Sequence, residues 1–135
     1  MDRATAITAL NRLHLAQNRF YSGDGDRSEL AALLRPDVIW VVPGASEIDA
    51  GTYRSVGEVL DYFERRRACS HNSMRVIRRD ALVGNCNLVA AVTDGVRIFG
   101  GEIVSWRTVE LYRITANRVS ACWLLPLDTD SFDRS

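Results

Sequence analysis

The sequence predicts an α+β fold: a cone-shaped, curved, mostly antiparallel β-sheet wrapped around three helices from the N-terminal half. Three observations carry this. Helical periodicity is confined to the first half of the chain, β-rich runs with turn signals fill the second half, and two capping boxes (Asp26 with Glu29, Ser55 with Glu58) mark helix starts. Three helices on one side of a mixed or antiparallel sheet leave a blind cavity between the layers, a natural place for a small molecule.

Residues 2–21 read as the first helix, with Ile7, Leu10, Leu13, Phe20 and Tyr21 on one face. His14 and Gln17 fall within that face, where polar groups need partners or a cavity. Ser22-Gly23-Asp24-Gly25 breaks the helix. Asp26 opens a short second helix to Leu34, stopped by Pro36. Val38–Val42 is a strand closed by Pro43-Gly44, with Trp40 on the face of Val38 and Val42. Residues 44–54 form a loop carrying Glu47, Asp49 and Tyr53. Ser55 opens a third helix to about Arg67, with Val56, Val59, Leu60 and Phe63 apolar; Arg65-Arg66-Arg67 reads as a solvated helix end.

The remainder reads as strand. Met74–Val83 and Cys86–Thr93 are separated by Gly84-Asn85, and Asp94-Gly95 reads as the next turn. A long hairpin then turns at Ala116-Asn117, and the last eight residues read as a tail. In the hairpin's first arm Val104, Trp106, Thr108, Glu110 and Tyr112 share a face. Glu110 admits two readings. Facing inward, it is a carboxyl in an apolar concavity, where burial favours the neutral form. Otherwise it is a surface acid, or paired with Arg97, Arg107 or Arg113.

The chain has 135 residues, expected to form one domain over 1–135, and 47% of them are apolar, enough for a real core. The net charge is zero, which argues against a generic nucleic-acid or anionic-membrane binder. All 17 basic residues are arginine, so no lysine nucleophile or Schiff base is available. Three scattered cysteines and two histidines offer no disulfide framework and no metal motif. Cys122, mid-strand, reads as an inert buried thiol. Without a greasy N-terminus or long apolar run, the expected location is cytoplasmic.

The pieces AQNRFYSGD, DVIWVVPG, AGTYRSVGEVLDYF and VELYRITANRVSACWLLPLD together resemble the nuclear-transport-factor-2-like superfamily, in its SnoaL-like and ketosteroid-isomerase-like branch. That resemblance implies the cone fold over nearly the whole chain. Against the ketosteroid isomerases, the position of the catalytic base is Val42, and the tyrosine position falls on Ala16 or Asn18. Glu110, in VELYR, stands at the second oxyanion-hole acid. One of three catalytic positions retains an acid, so that activity is not expected. Many similar relatives read W-H-V-P-G on the first strand, where this chain has Val41.

The resemblance places Trp40, Val42, Tyr62, Phe63, Trp106, Glu110, Tyr112, Cys122 and Leu124 on or near the cavity, with His14, Gln17 and Asn18 lining it from the first helix. Asp49 and Tyr53 would stand at its mouth. For the aromatics, simple core packing is the alternative. Glu110 and then His14 are the candidate acid/base groups. The implied function is cofactor-free SnoaL-like chemistry of secondary metabolism on a mostly apolar, oxygenated polyketide or terpenoid-like intermediate. Cyclisation, isomerisation, dehydration or epoxide opening would each fit. The alternatives are a non-catalytic small-molecule binding protein, and a dimeric interaction domain. No cofactor or metal is implied. A homodimer is expected through the outer sheet face, where Trp123 and Leu125 alternate away from Cys122 and Leu124.

Overall fold

The computed structural model describes residues 2–44 and 49–127, apart from the side chain of Phe99. The loop acid Glu47 and the expected tail lie outside them. Helix α1 spans Arg3–Tyr21, capped by Asp2. Helix α2 spans Arg27–Ala31 and α3 spans Val56–Cys69, capped by Asp26 and Ser55 as their sequences predict. Glu58 accepts from the Arg54 N–H, while the Ser55 N–H goes to Val38 O.

Six strands form one sheet: β1 (Leu34–Val42), β2 (Gly51–Arg54), β3 (Arg75–Val83), β4 (Leu88–Phe99), β5 (Glu102–Thr115) and β6 (Arg118–Pro126). Their order is β2-β1-β6-β5-β4-β3. The β1–β6 pair is parallel and the others are antiparallel. This is the α+β architecture that the sequence predicts.

Four boundaries differ from the sequence reading, each for a physical reason. Helix α2 ends at Ala31, and β1 already begins at Leu34. Pro36 does not stop the chain from entering the sheet, because it falls in the register shift between Leu34 and Ile39. No ladder bond is lost there to its missing N–H. Residues 51–54, read as loop, are an edge strand held by β1 alone, too short to show an alternation pattern. The strand expected from Cys86 begins at Leu88, because Cys86 and Asn87 turn with left-handed backbone.

The fourth difference is the largest. Asp94-Gly95 lies inside β4, which runs on to Phe99, and the turn is made by Gly100-Gly101, both at positive φ. Gly95 is there for closeness: a Cβ would stand 2.2 Å from the Trp106 side chain. Asp94 points to the outer face, where Arg107 and then Arg79 bond its carboxylate and hold it well below the usual carboxylate range.

Strand alternation divides the sheet into two faces. Val89, Ala91, Thr93, Trp106, Thr108, Glu110, Tyr112 and Cys122 are buried on the inner face against α1 and α3. The outer face carries Ile77, Ile98, Ile103, Leu111 and Leu125, all exposed. Trp123 is half-buried there, with the Arg113 guanidinium 5.5 Å over its ring. No helix among the described residues is long and apolar enough to cross a membrane.

Candidate functional site

Glu110 is buried on the inner face of β5, and its neighbours there are donors. Thr93, one strand away, donates to Oε1 at 2.6 Å. Tyr112, two residues on along the same strand, donates to Oε2 in a short hydrogen bond. The Cys122 thiol lies 3.9 Å from Oε2. Burial, and then the nearby Glu110, push both the Tyr112 phenol and the Cys122 thiol well above their ordinary values, so both keep their protons. Cys122 is therefore a buried donor rather than a nucleophile. Surrounded by donors, Glu110 is the acceptor of the cluster.

His14 joins from α1, its Nε2 lying 3.1 Å from the Tyr112 oxygen. The tyrosine proton is committed to Glu110, so His14 is assigned the Nε2–H tautomer and donates. The result is a relay, His14 to Tyr112 to Glu110, running from helix to sheet. Burial holds the His14 pKa below its ordinary value, the Glu110 charge opposing and the Arg78 charge assisting. His14 is thus a neutral donor behind the acid.

The arginine partners that the sequence offered Glu110 go elsewhere among the described residues. Arg107 binds Asp94, Arg113 covers Trp123, and Arg97 donates to Cys69 O.

In front of Glu110 lies a cavity of about 40 Å³. Gln17, Trp40, Tyr62, Phe63, Trp106 and Leu124 share its wall with Glu110. The roomy pocket expected from a curled sheet is mostly filled by rings. Trp40 stacks edge-on to Phe63 at 5.0 Å and to Tyr112 at 6.2 Å. What remains is room for about one water.

Three buried polar atoms on that wall have no hydrogen-bond partner among the described residues: Gln17 Oε1, Trp40 Nε1 and Thr108 Oγ1. Buried polar atoms are nearly always satisfied, so an acceptor, a donor and a hydroxyl left open on one cavity mark a place for a polar guest.

The other sequence candidates stand apart from this wall. Asn18 does not line the cavity: its amide grips the Val76 backbone, donating to the carbonyl at 2.7 Å and accepting from the N–H at 2.8 Å. In this way it closes part of the free edge of β3. Val42 is packed in the core at the end of β1. Tyr53 donates to Asp49 O at 2.6 Å, and its ring lies 4.7 Å from Tyr62, outside the cavity. His14, Tyr112 and Cys122 sit behind Glu110 rather than on the wall.

Sequence reasoning missed Arg66. The run Arg65-Arg66-Arg67 is not a solvated helix end. Arg65 lies over Tyr53 and Arg67 over Phe20, while Arg66 turns inward and is buried. Its guanidinium stands 6.0 Å from the Tyr62 ring and 5.6 Å from the Trp106 ring, and NH1 meets Asp49 at 3.1 Å. Burial works against its charge, but Tyr62, Tyr21 and Asp49 together hold its pKa above the ordinary value. The available signal was spacing: Val59, Tyr62, Phe63 and Arg66 recur at three and four along one face of α3. Thr93 was also missed. It lies opposite Thr108 in the β4–β5 register, which single-strand alternation does not reveal.

No family model matches the chain, and neither does any curated protein. Solved structures do. Bal32a, from a soil-derived mobile gene cassette, is 19% identical with a TM-score of 0.85, over 96% of this chain and 95% of its own. TerC, crystallised with polyporic acid, is 17% identical with a TM-score of 0.76, over 95% of both chains. IdmH of Streptomyces antibioticus, described as a candidate polyketide cyclase, is 18% identical with a TM-score of 0.73, over 96% of both. Others are described as having a cystatin-like fold, as NTF2-like, and as a candidate isomerase. At such identities the likeness is one of fold: the chain has the cone-shaped fold of the nuclear-transport-factor-2-like proteins.

Proposed function

We propose that the protein is a cofactor-free acid/base enzyme acting on a mostly apolar, oxygenated small molecule, with Glu110 as the proton acceptor. One observation carries this reading: the unpartnered polar atoms of Gln17, Trp40 and Thr108 share a cavity wall with a carboxylate whose back side is occupied by donors. A carbonyl compound answers these groups. The Trp40 N–H meets the carbonyl oxygen, the Gln17 oxygen meets a hydroxyl on the same molecule, and Glu110 takes a proton from the adjacent carbon. The C–H electron pair then passes to the carbonyl oxygen, giving an enolate. Proton removal of this kind begins an isomerisation, a dehydration or an intramolecular ring closure. The similarity in fold to a candidate cyclase and a candidate isomerase is in keeping with it.

The volume of about 40 Å³, with most of the space filled by rings, favours a second reading, a non-catalytic interaction domain on the same fold. Solvent deuterium exchange at C2 of 1-tetralone, followed by NMR, separates the two. The enzyme reading expects the wild-type protein to accelerate exchange and Glu110→Gln to lose roughly 10²-fold or more. Absence of both exchange and ketone binding selects the interaction domain, and binding without exchange, unaffected by Glu110→Gln, selects a binding protein.

A further inference from the structure

Arg66 is a buried cation on the wall of the Glu110 cavity, and the acid that meets it, Asp49, comes from the segment leading into β2. A second buried arginine, Arg97 on β4, is near enough for its charge to be felt by Arg66 and by Asp49. Of these two guanidiniums it is that of Arg66 that lines the cavity, with the Tyr62 and Trp106 rings beside it. An anion can be received here without an idle arginine donor, by exchange for the anion already in place. The cavity is too small for a ring compound as long as this wall stays closed. Tyr62, Phe63 and Trp106 are packed into the core, whereas Asp49 stands two residues before the edge strand β2. Arg66 lines the cavity while Asp49 meets its guanidinium from beyond the lining residues, so this pair is the charged point at which the wall can exchange one anion for another.

We propose that the ligand carries an anionic oxygen, such as a carboxylate or an acidic enolate or phenolate, that takes the place of Asp49 on Arg66 as the molecule enters. The rings of Tyr62 and Trp106 flank its apolar body, and its other end reaches Glu110. Arginine suits the role, because its fork binds a carboxylate in the plane and remains charged when dry. The inference rests on the Glu110 cavity being the ligand site and names the class of ligand.

The test uses 2-naphthoate and its neutral counterpart 2-naphthamide, with calorimetry and thermal melting of the full chain. Wild type is expected to bind the acid at least ten times more tightly than the amide. Arg66→Gln is expected to abolish that preference, the acid losing more affinity than the amide, and Arg66→Lys to keep part of it. Asp49→Asn leaves a buried guanidinium without the acid that meets it, so its melting temperature should fall. The acid should then raise that temperature by more than it raises the wild type's, and the amide should not. Equal binding of acid and amide, no binding of either at millimolar concentration, a preference that survives Arg66→Gln, or no rescue of Asp49→Asn each overturns the inference. If Arg66→Gln does not fold, Arg66→Lys and Asp49→Asn decide it. Loss of tetralone exchange in Glu110→Gln tests the enzyme reading separately, so either idea can fail while the other stands.

Discussion

Trp106 lies flat against Gly95 on the neighbouring strand, so close that a Cβ at position 95 would come within 2.2 Å of the indole. The indole and the glycine both line the cavity, so the pairing sets the wall as well as the packing. Gly95→Ala should destabilise the fold by about 1–3 kcal/mol, as overpacking does. Chemical denaturation measures it. Combining Gly95→Ala with Trp106→Phe should recover part of the loss, since the two sites share one contact. Simple additivity would show that the contact is not the cause.

Tyr112→Phe removes the hydroxyl that links His14 to Glu110. It leaves the His14 N–H and one carboxylate lone pair buried without their partner. A loss of about 1–3 kcal/mol is expected in denaturant melts. Tetralone exchange should change as well, because the acceptor loses a donor at its back. Wild-type stability in Tyr112→Phe would mean that the relay is not formed in solution.

The pH dependence of stability is set in part by His14. Its folded pKa is lowered by burial from the ordinary 6.5, so the unfolded chain takes up a proton at a higher pH than the native one. Stability rises with pH wherever the unfolded state binds more protons. The contribution is present above the unfolded pKa and is lost as pH falls toward the folded one. Melts between about pH 7.5 and 5.5 should therefore show declining stability on acidification. His14→Gln should flatten the slope, and an unchanged slope would assign it to other groups.

Asn18→Ala should cost about 1–3 kcal/mol, since it frees a backbone N–H and carbonyl of β3 that the side chain holds at 2.8 and 2.7 Å. Hydrogen exchange should show the Val76 amide losing protection selectively. Uniform loss across the sheet would mean that the clamp is not local.

The outer face of the sheet predicts self-association. Leu111 stands opposite Trp123 across the β5–β6 ladder, Leu125 follows Trp123 on the same strand and face, and Ile103 is 76% exposed farther along β5. Light scattering at micromolar concentration should give a dimer for wild type and a monomer for Trp123→Arg. A monomeric wild type ends the proposal.

Much of the architecture was legible in the sequence because its signals are local. Helices α1 and α3 announce themselves by periodicity, and α2 and α3 by a capping box. The long hairpin announces itself by two alternating runs around Ala116-Asn117, both at positive φ in the turn. That Glu110 shares a face with Trp106 and Tyr112 comes from alternation alone, since successive strand side chains must point to opposite faces, whereas which face is inner came only with the packing.

What the tertiary structure decided depends on neighbours distant in the chain. Gly95 reads as a turn residue until Trp106 is seen lying on it, and only the strand pairing brings the two together. Arg66 reads as the middle of a solvated run until α3 is docked and its inner face is known. Thr93 and Tyr112 become donors to Glu110 through the register of β4 on β5 and through burial, neither of which is written in either strand by itself. Even the size of the cavity was undecided by composition, because the same aromatic side chains line a pocket or fill it according to how they stack. Local patterns determine which way a side chain points; the packing of one element on another determines what it meets there.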